Sequence, residues 1–168
     1  MPKKGKKYDW FANPDWFKIW NGEAVLRDDG SFWRNNYQNA SRSGLMKYDE
    51  IAEILNNFLK FEMDDNILDV GGSTGGLSMK LSRLVSNIVV ADYAPNQIEI
   101  GKLNSKDGNI NNIDFILDSI PNLENVKKNY PQRFFNKILC GSVLQYLNPD
   151  KRDYLKTTLK NMFTMLSP

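Results

Sequence analysis

The residues with the most chemical potential lie close together. Asp69-Val70-Gly71-Gly72-Ser73-Thr74-Gly75-Gly76 puts an acid ahead of a glycine-rich run. Glycines let backbone pass where a Cβ would not fit. A helix beginning near Ser73 or Thr74 would add unpaired N–H groups. Asp92 closes a second apolar run about 20 residues further on, the offset of a carboxylate that accepts hydrogen bonds from a ribose. Each feature has a bland reading. A glycine turn can be mere geometry, and an acid after a strand can cap a helix. Motif and context together favour a nucleoside-containing ligand at this loop.

The rest of the inventory narrows the chemistry. Histidine is absent, which removes the usual neutral-pH base and the commonest metal ligand. No metal site is read. Any base must be Asp, Glu, Tyr or Lys, and none is singled out as catalytic. Tyr37, Arg42, Tyr48 and Tyr146 are pocket candidates, although packing or surface placement is the commoner role for such residues. Cys140 is the only cysteine, so no internal disulfide forms and a reducing compartment suits the chain.

The elements that must position these residues follow from periodicity. Asn66-Ile67-Leu68-Asp69-Val70 and Ile88-Val89-Val90-Ala91 are short apolar runs, as expected of buried parallel strands. Ile113–Leu117 and Lys137–Cys140 predict a third and a fourth strand. Ile51, Ile54, Leu55, Phe58 and Leu59 give the apolar stripe of an amphipathic helix. Leu77, Leu81, Leu84 and Val85 give another, as do Tyr154, Leu155, Leu159, Met162, Phe163 and Leu166. Gln97–Leu103 carries a weaker helical pattern. Between the last two strands only Leu123 and Val126 suggest a short helix, bracketed by Pro121 and Pro131. Strand and helix alternate, so the fold class is α/β with a parallel sheet.

At this point the chain resembles the class I, Rossmann-like S-adenosylmethionine-dependent methyltransferases. Ile67 to Gly75 looks like the first motif of that family. Val89 to Gln97 is similar to the segment that follows it. Asp114 to Ser119 and Lys137 to Leu147 resemble the third- and fourth-strand segments. The similarity spans about residues 66–166 and does not reach the N-terminal third. It implies a doubly wound, mainly parallel sheet in the order 3-2-1-4 and S-adenosylmethionine as cofactor. Asp69 would set the loop and orient the methionine amino group. Gly71, Gly72, Ser73, Thr74 and Gly75 would carry the backbone beneath the methionine moiety and ribose. Asp92 would accept the ribose hydroxyls, with Tyr93 against the adenine face. Asp118, with Ser119 beside it, would take the adenine amino group. Gly141 and Ser142 would line the methionine end.

One departure stands out. Ser73 occupies a position where the family commonly has glycine, which is tolerable if its φ is negative, and its hydroxyl would then bond locally. A dinucleotide reading fits less well. It needs serine in the middle glycine slot and places Asp69 near a pyrophosphate that it would repel. A binding module that holds the cofactor or a partner without chemistry is the other alternative to an enzyme.

Composition constrains the partner. The net charge of +2 gives little support to a polyanionic substrate. The fourth-strand segment lacks the Asp/Asn-Pro-Pro-aromatic run resembling amino-methylating DNA enzymes, and Cys140 has no adjacent proline. A small-molecule acceptor is expected, with no nucleic acid and no membrane. The basic start, Met1 to Lys7, runs into a broken polar stretch rather than an apolar one, so a cytoplasmic protein is expected. Residues 1–45 are rich in aromatics and form an extension or lid, ahead of a binding domain over 46–168. The pattern stops where the family turns into a fifth strand. The C-terminal strands are therefore expected to be missing, and a homodimer could cover the fourth-strand edge.

Overall fold

The computed structural model describes residues 48–141, 143, 144, 147 and 152–168. The expected extension over 1–45 lies outside them, as do Ser142, Tyr37, Arg42 and Tyr146. The elements run α1 (Tyr48–Leu59), β1 (Asn66–Val70), α2 (Gly76–Leu81), β2 (Asn87–Asp92), α3 (Pro95–Asp107), β3 (Ile113–Leu117), α4 (Glu124–Asn129), β4 (Lys137–Leu139) and α5 (Arg152–Met165). A 3-10 turn over Ser82–Leu84 follows α2. No helix among the described residues is long and apolar enough to cross a membrane.

The four strands form one sheet in the order β3-β2-β1-β4, every pair parallel. The order is the expected one. Each return to the sheet needs a crossover, and the helices supply it. In register, Asp69 lies opposite Val90 and Leu139, and Asp92 lies opposite Leu117, so both acids sit near the carboxyl ends of their strands.

Alternation along the strands divides the core in two. Leu68, Val70, Val89 and Ala91 face one layer with Leu123, Val126, Phe135, Met162 and Met165. Ile67, Ile88 and Val90 face the other with Ala52, Met79, Leu81 and Val85. The central strands are buried on both faces, which is why they read as unbroken apolar runs.

Three expectations need correction. The first glycine-loop helix begins at Gly76, with Gly75 as N-cap, rather than near Ser73 or Thr74. In α1 the apolar stripe does not all face inward: Ala52 is buried, whereas Phe58 is 81% exposed and Ile54 is also exposed. In α5 the buried face runs through Thr158, Met162 and Met165, while Leu155, Leu159 and Phe163 face out. After α5 the chain returns to the sheet. Leu166 makes a parallel bridge with Phe135, through Phe135 N–H to Met165 O at 3.1 Å and Ser167 N–H to Phe135 O at 2.7 Å. The last residues thus begin to pair beside the entrance to β4.

Candidate functional site

The turn after β1 rises at the centre of the sheet and carries three left-handed residues: Gly71 and Gly75, each at φ 73°, and Ser73 at φ 56°. Glycine meets that demand at little cost, and a residue with a Cβ does not. The condition under which serine is easily tolerated here, a negative φ, is therefore not met. Strain of about 1 kcal/mol or more is held there by the surroundings. The Ser73 N–H donates to Asp92 Oδ2 at 3.0 Å, and its hydroxyl donates to Gln97 Oε1 at 2.9 Å, not to a local backbone group.

The glycines also make room for protein. A Cβ on Gly72 would stand 2.6 Å from Asp69 Oδ2 and 2.9 Å from Val90. One on Gly75 would strike the Phe115 ring, one on Gly71 would strike Val143, and one on Gly76 would strike the Tyr48 ring. Tyr48, a pocket candidate for which packing is the commoner role, packs on the start of α2. Phe115 also packs on Gly101 of α3, so one ring fits between the loop and that helix. A glycine inside a helix costs up to about 1 kcal/mol relative to alanine, which was the available sign that something must approach there. No comparable sign pointed to Gln97 or Ser78.

Two buried acids lie beneath this turn. Asp69 accepts a hydrogen bond from the Ser78 hydroxyl at 2.6 Å. Burial raises its pKa to about 6, the Ser78 bond lowers it, and the nearby Asp92 charge raises it further. Asp92 accepts from Ala94 N–H at 2.9 Å as well as from Ser73 N–H. Burial also pushes its pKa up, against the backbone donors of Ala94, Ser73 and Tyr93. Three backbone donors thus converge on a carboxylate whose two oxygens can accept about four hydrogen bonds.

Beside the β2 and β3 tips lies a cleft of about 520 Å³ lined by Tyr93, Leu117, Asp118, Ser119, Asn122 and neighbouring residues. Its size is within the range of small-ligand sites. Tyr93 is 38% exposed at the edge of this cleft. Asp118 reaches the cleft but also serves the backbone: Oδ1 accepts from Ser119 N–H and Oδ2 from Val126 N–H, both at 2.8 Å, which ties down the first turn of α4. Thr74 is buried in the turn, and Gly141 stands exposed beyond β4, with no contact to a Cβ built there among the described residues. The Cys140 thiol is pushed up to about 11 by burial, with Asp69 adding to the effect, which makes it a poor nucleophile. Among the described residues no three His, Cys, Asp or Glu side chains converge as metal ligands would.

The structure thus gathers Asp69, the 71–75 turn, Asp92, Tyr93, Asp118 and Ser119 at one end of the sheet. The arrangement can take a nucleoside: an acid at the second strand tip, an exposed aromatic ring beside it, and an open cleft toward the third strand.

Residues 67–168 match a family model described as methyltransferase domain. A comparison with curated proteins finds no match. Solved structures share the fold. A phosphoethanolamine N-methyltransferase 1 from Haemonchus contortus, in complex with phosphoethanolamine and S-adenosylhomocysteine, is similar at 18% identity and TM-score 0.63, over 91% of this chain and 30% of that one. A SAM-dependent methyltransferase from Aquifex aeolicus gives 14% and 0.60, over 84% and 69%. An rRNA methylase from Streptococcus thermophilus gives 16% and 0.50, over 71% and 62%. The chain spans about half the length of several structures it matches.

Proposed function

Because the chain belongs to the methyltransferase domain family, we propose that it binds S-adenosylmethionine at the 71–75 turn and serves methyl transfer to a small-molecule acceptor. The observation that carries this reading is the alignment of the turn, the Asp92 carboxylate and the Tyr93–Ser119 cleft along the carboxyl ends of three adjacent strands. Ligands of open α/β sheets sit there.

The roles are divided by position. Asp92 would accept the ribose hydroxyls. Tyr93 would lie against the adenine, with Asp118 and Ser119 around its edge. Asp69, Gly141 and Ser142 would serve the methionine end. The cofactor supplies a methyl group on a sulfonium, a good leaving group for in-line displacement. The protein's part is then to hold the acceptor close and in line, and a base is needed only if the acceptor must shed a proton. The near-balanced charge favours a small molecule over a polyanion. The lone cysteine suits a cytoplasmic setting.

Calorimetric titration with S-adenosylhomocysteine tests the cofactor. Wild type should bind in the micromolar range, about −8 kcal/mol. Asp92→Ala should weaken binding by about 10- to 100-fold through loss of charge-assisted contacts. Tighter binding of NAD than of S-adenosylhomocysteine would sink the proposal. Turnover against a metabolite library then separates an enzyme from a module that only holds the cofactor.

A further inference from the structure

We infer that Gln97 is a positioning residue for the adenosyl site. Through Ser73 it clamps the turn to α3, and the clamp fixes the carboxylate of Asp92. The inference rests on the cofactor reading above.

Four hydrogen bonds close into a ring. Ser73 N–H donates to Asp92 Oδ2 at 3.0 Å. Ala94 N–H donates to Asp92 Oδ1 at 2.9 Å. Gln97 N–H donates to Ala94 O at 3.0 Å. The Ser73 hydroxyl donates to Gln97 Oε1 at 2.9 Å. The ring passes from the turn to the tip of β2, into the first turn of α3, and back to the turn. Gln97 is 3% exposed, so its amide is spent inside the protein and not on water.

The ring answers the strain at Ser73. A non-glycine residue at φ 56° persists only where its surroundings over-determine it. Glycine would need no hold at this position. Serine needs one and carries the donor that makes it. Removing the Gln97 acceptor frees Ser73 to relax toward negative φ, which turns its N–H away from Asp92 and lets the carboxylate swing. The acid argued to grip the ribose is thus oriented by a buried glutamine that acts through Ser73.

The test uses the full 168-residue chain. Wild type, Ser73→Ala, Gln97→Met and the double variant are titrated with S-adenosylhomocysteine and with adenosine, and ligand-free melting midpoints are recorded. Each single change should weaken both ligands by about tenfold, the worth of one well-made hydrogen bond. The double variant should lose little more, since both changes delete the same bond. A merely structural role would lower the ligand-free midpoint and leave the affinity of the folded protein unchanged, which overturns the inference. Independent losses that multiply in the double variant also overturn it. Should Gln97→Met fail to fold, Ser73→Ala decides, because that side chain is only half-buried. If wild type binds S-adenosylhomocysteine and the variants match it, the clamp fails and the cofactor reading stands. If wild type binds neither ligand, the cofactor reading falls and the clamp with it.

Discussion

The two ends of the sheet are built on opposite terms. At the amino end, neutral amides knit the strands. Asn66 N–H donates to Asn136 Oδ1, and Asn87 Nδ2 donates to Asn66 Oδ1. Asn112 Nδ2 reaches the carbonyls of Ser82, Val85 and Ser86. A buried charge there is matched: Asp65 Oδ2 takes both Lys137 Nζ and the Glu62 N–H. At the carboxyl end, two acids are buried with raised pKa values beneath a turn that contains a strained serine. One end satisfies its polar groups with each other. The other keeps two acids buried with raised pKa values, and such perturbed acids cluster at functional sites.

The largest effect that sharpens this contrast is expected at Asp65. Asp65→Ala strands the partly buried Lys137 ammonium and the Glu62 N–H, and unfolding free energy should fall by about 3 kcal/mol. Urea titration measures that loss. Affinity for S-adenosylhomocysteine in the folded variant should stay at the wild-type level, and a parallel loss of affinity would erase the distinction between the ends.

Asp69 should act in the opposite sense. Its folded-state pKa of about 6 lies above its ordinary value of 3.8, so the folded state holds the proton more tightly. The stability this provides is complete below the ordinary value and is lost as pH rises through about 6. The shift corresponds to about 3 kcal/mol. Asp69→Asn should flatten that slope and stabilise the protein at pH 8 by up to about the same amount. Denaturation curves across pH 4 to 8 follow the change, and an unaltered slope would remove Asp69 from the account.

The smallest effect is expected at Asn112. Asn112→Ala should cost about 1 kcal/mol and spare ligand binding. Thermal melts and calorimetry read the two separately. A cost several times larger would show that the amino end depends on one hub and not on distributed amides.

Much of this layout was legible in the chain itself. Ile67–Val70 and Ile88–Ala91 announced central strands, because burial on both faces leaves no polar alternation. Asp69 and Asp92 were legible from their places at strand ends. The inward face of α1 was not. The spacing of Ile51, Ile54, Leu55, Phe58 and Leu59 defines a stripe, but which side the sheet claims depends on the neighbouring helix, and there Ala52 is buried and Phe58 is not. The Ser73–Gln97 bond was equally hidden. It joins residues 24 positions apart, and they meet only once β2 lies beside β1. The φ of Ser73 could not be read either, since serine seldom takes that conformation without outside support.

The bridge between Leu166 and Phe135 bears on how this sheet could associate. Residues tethered by α5 compete for the entrance of β4 at a millimolar-scale effective concentration, whereas a strand from another molecule competes only at its bulk concentration. At Phe135 a strand from another molecule would therefore meet backbone already paired within its own chain.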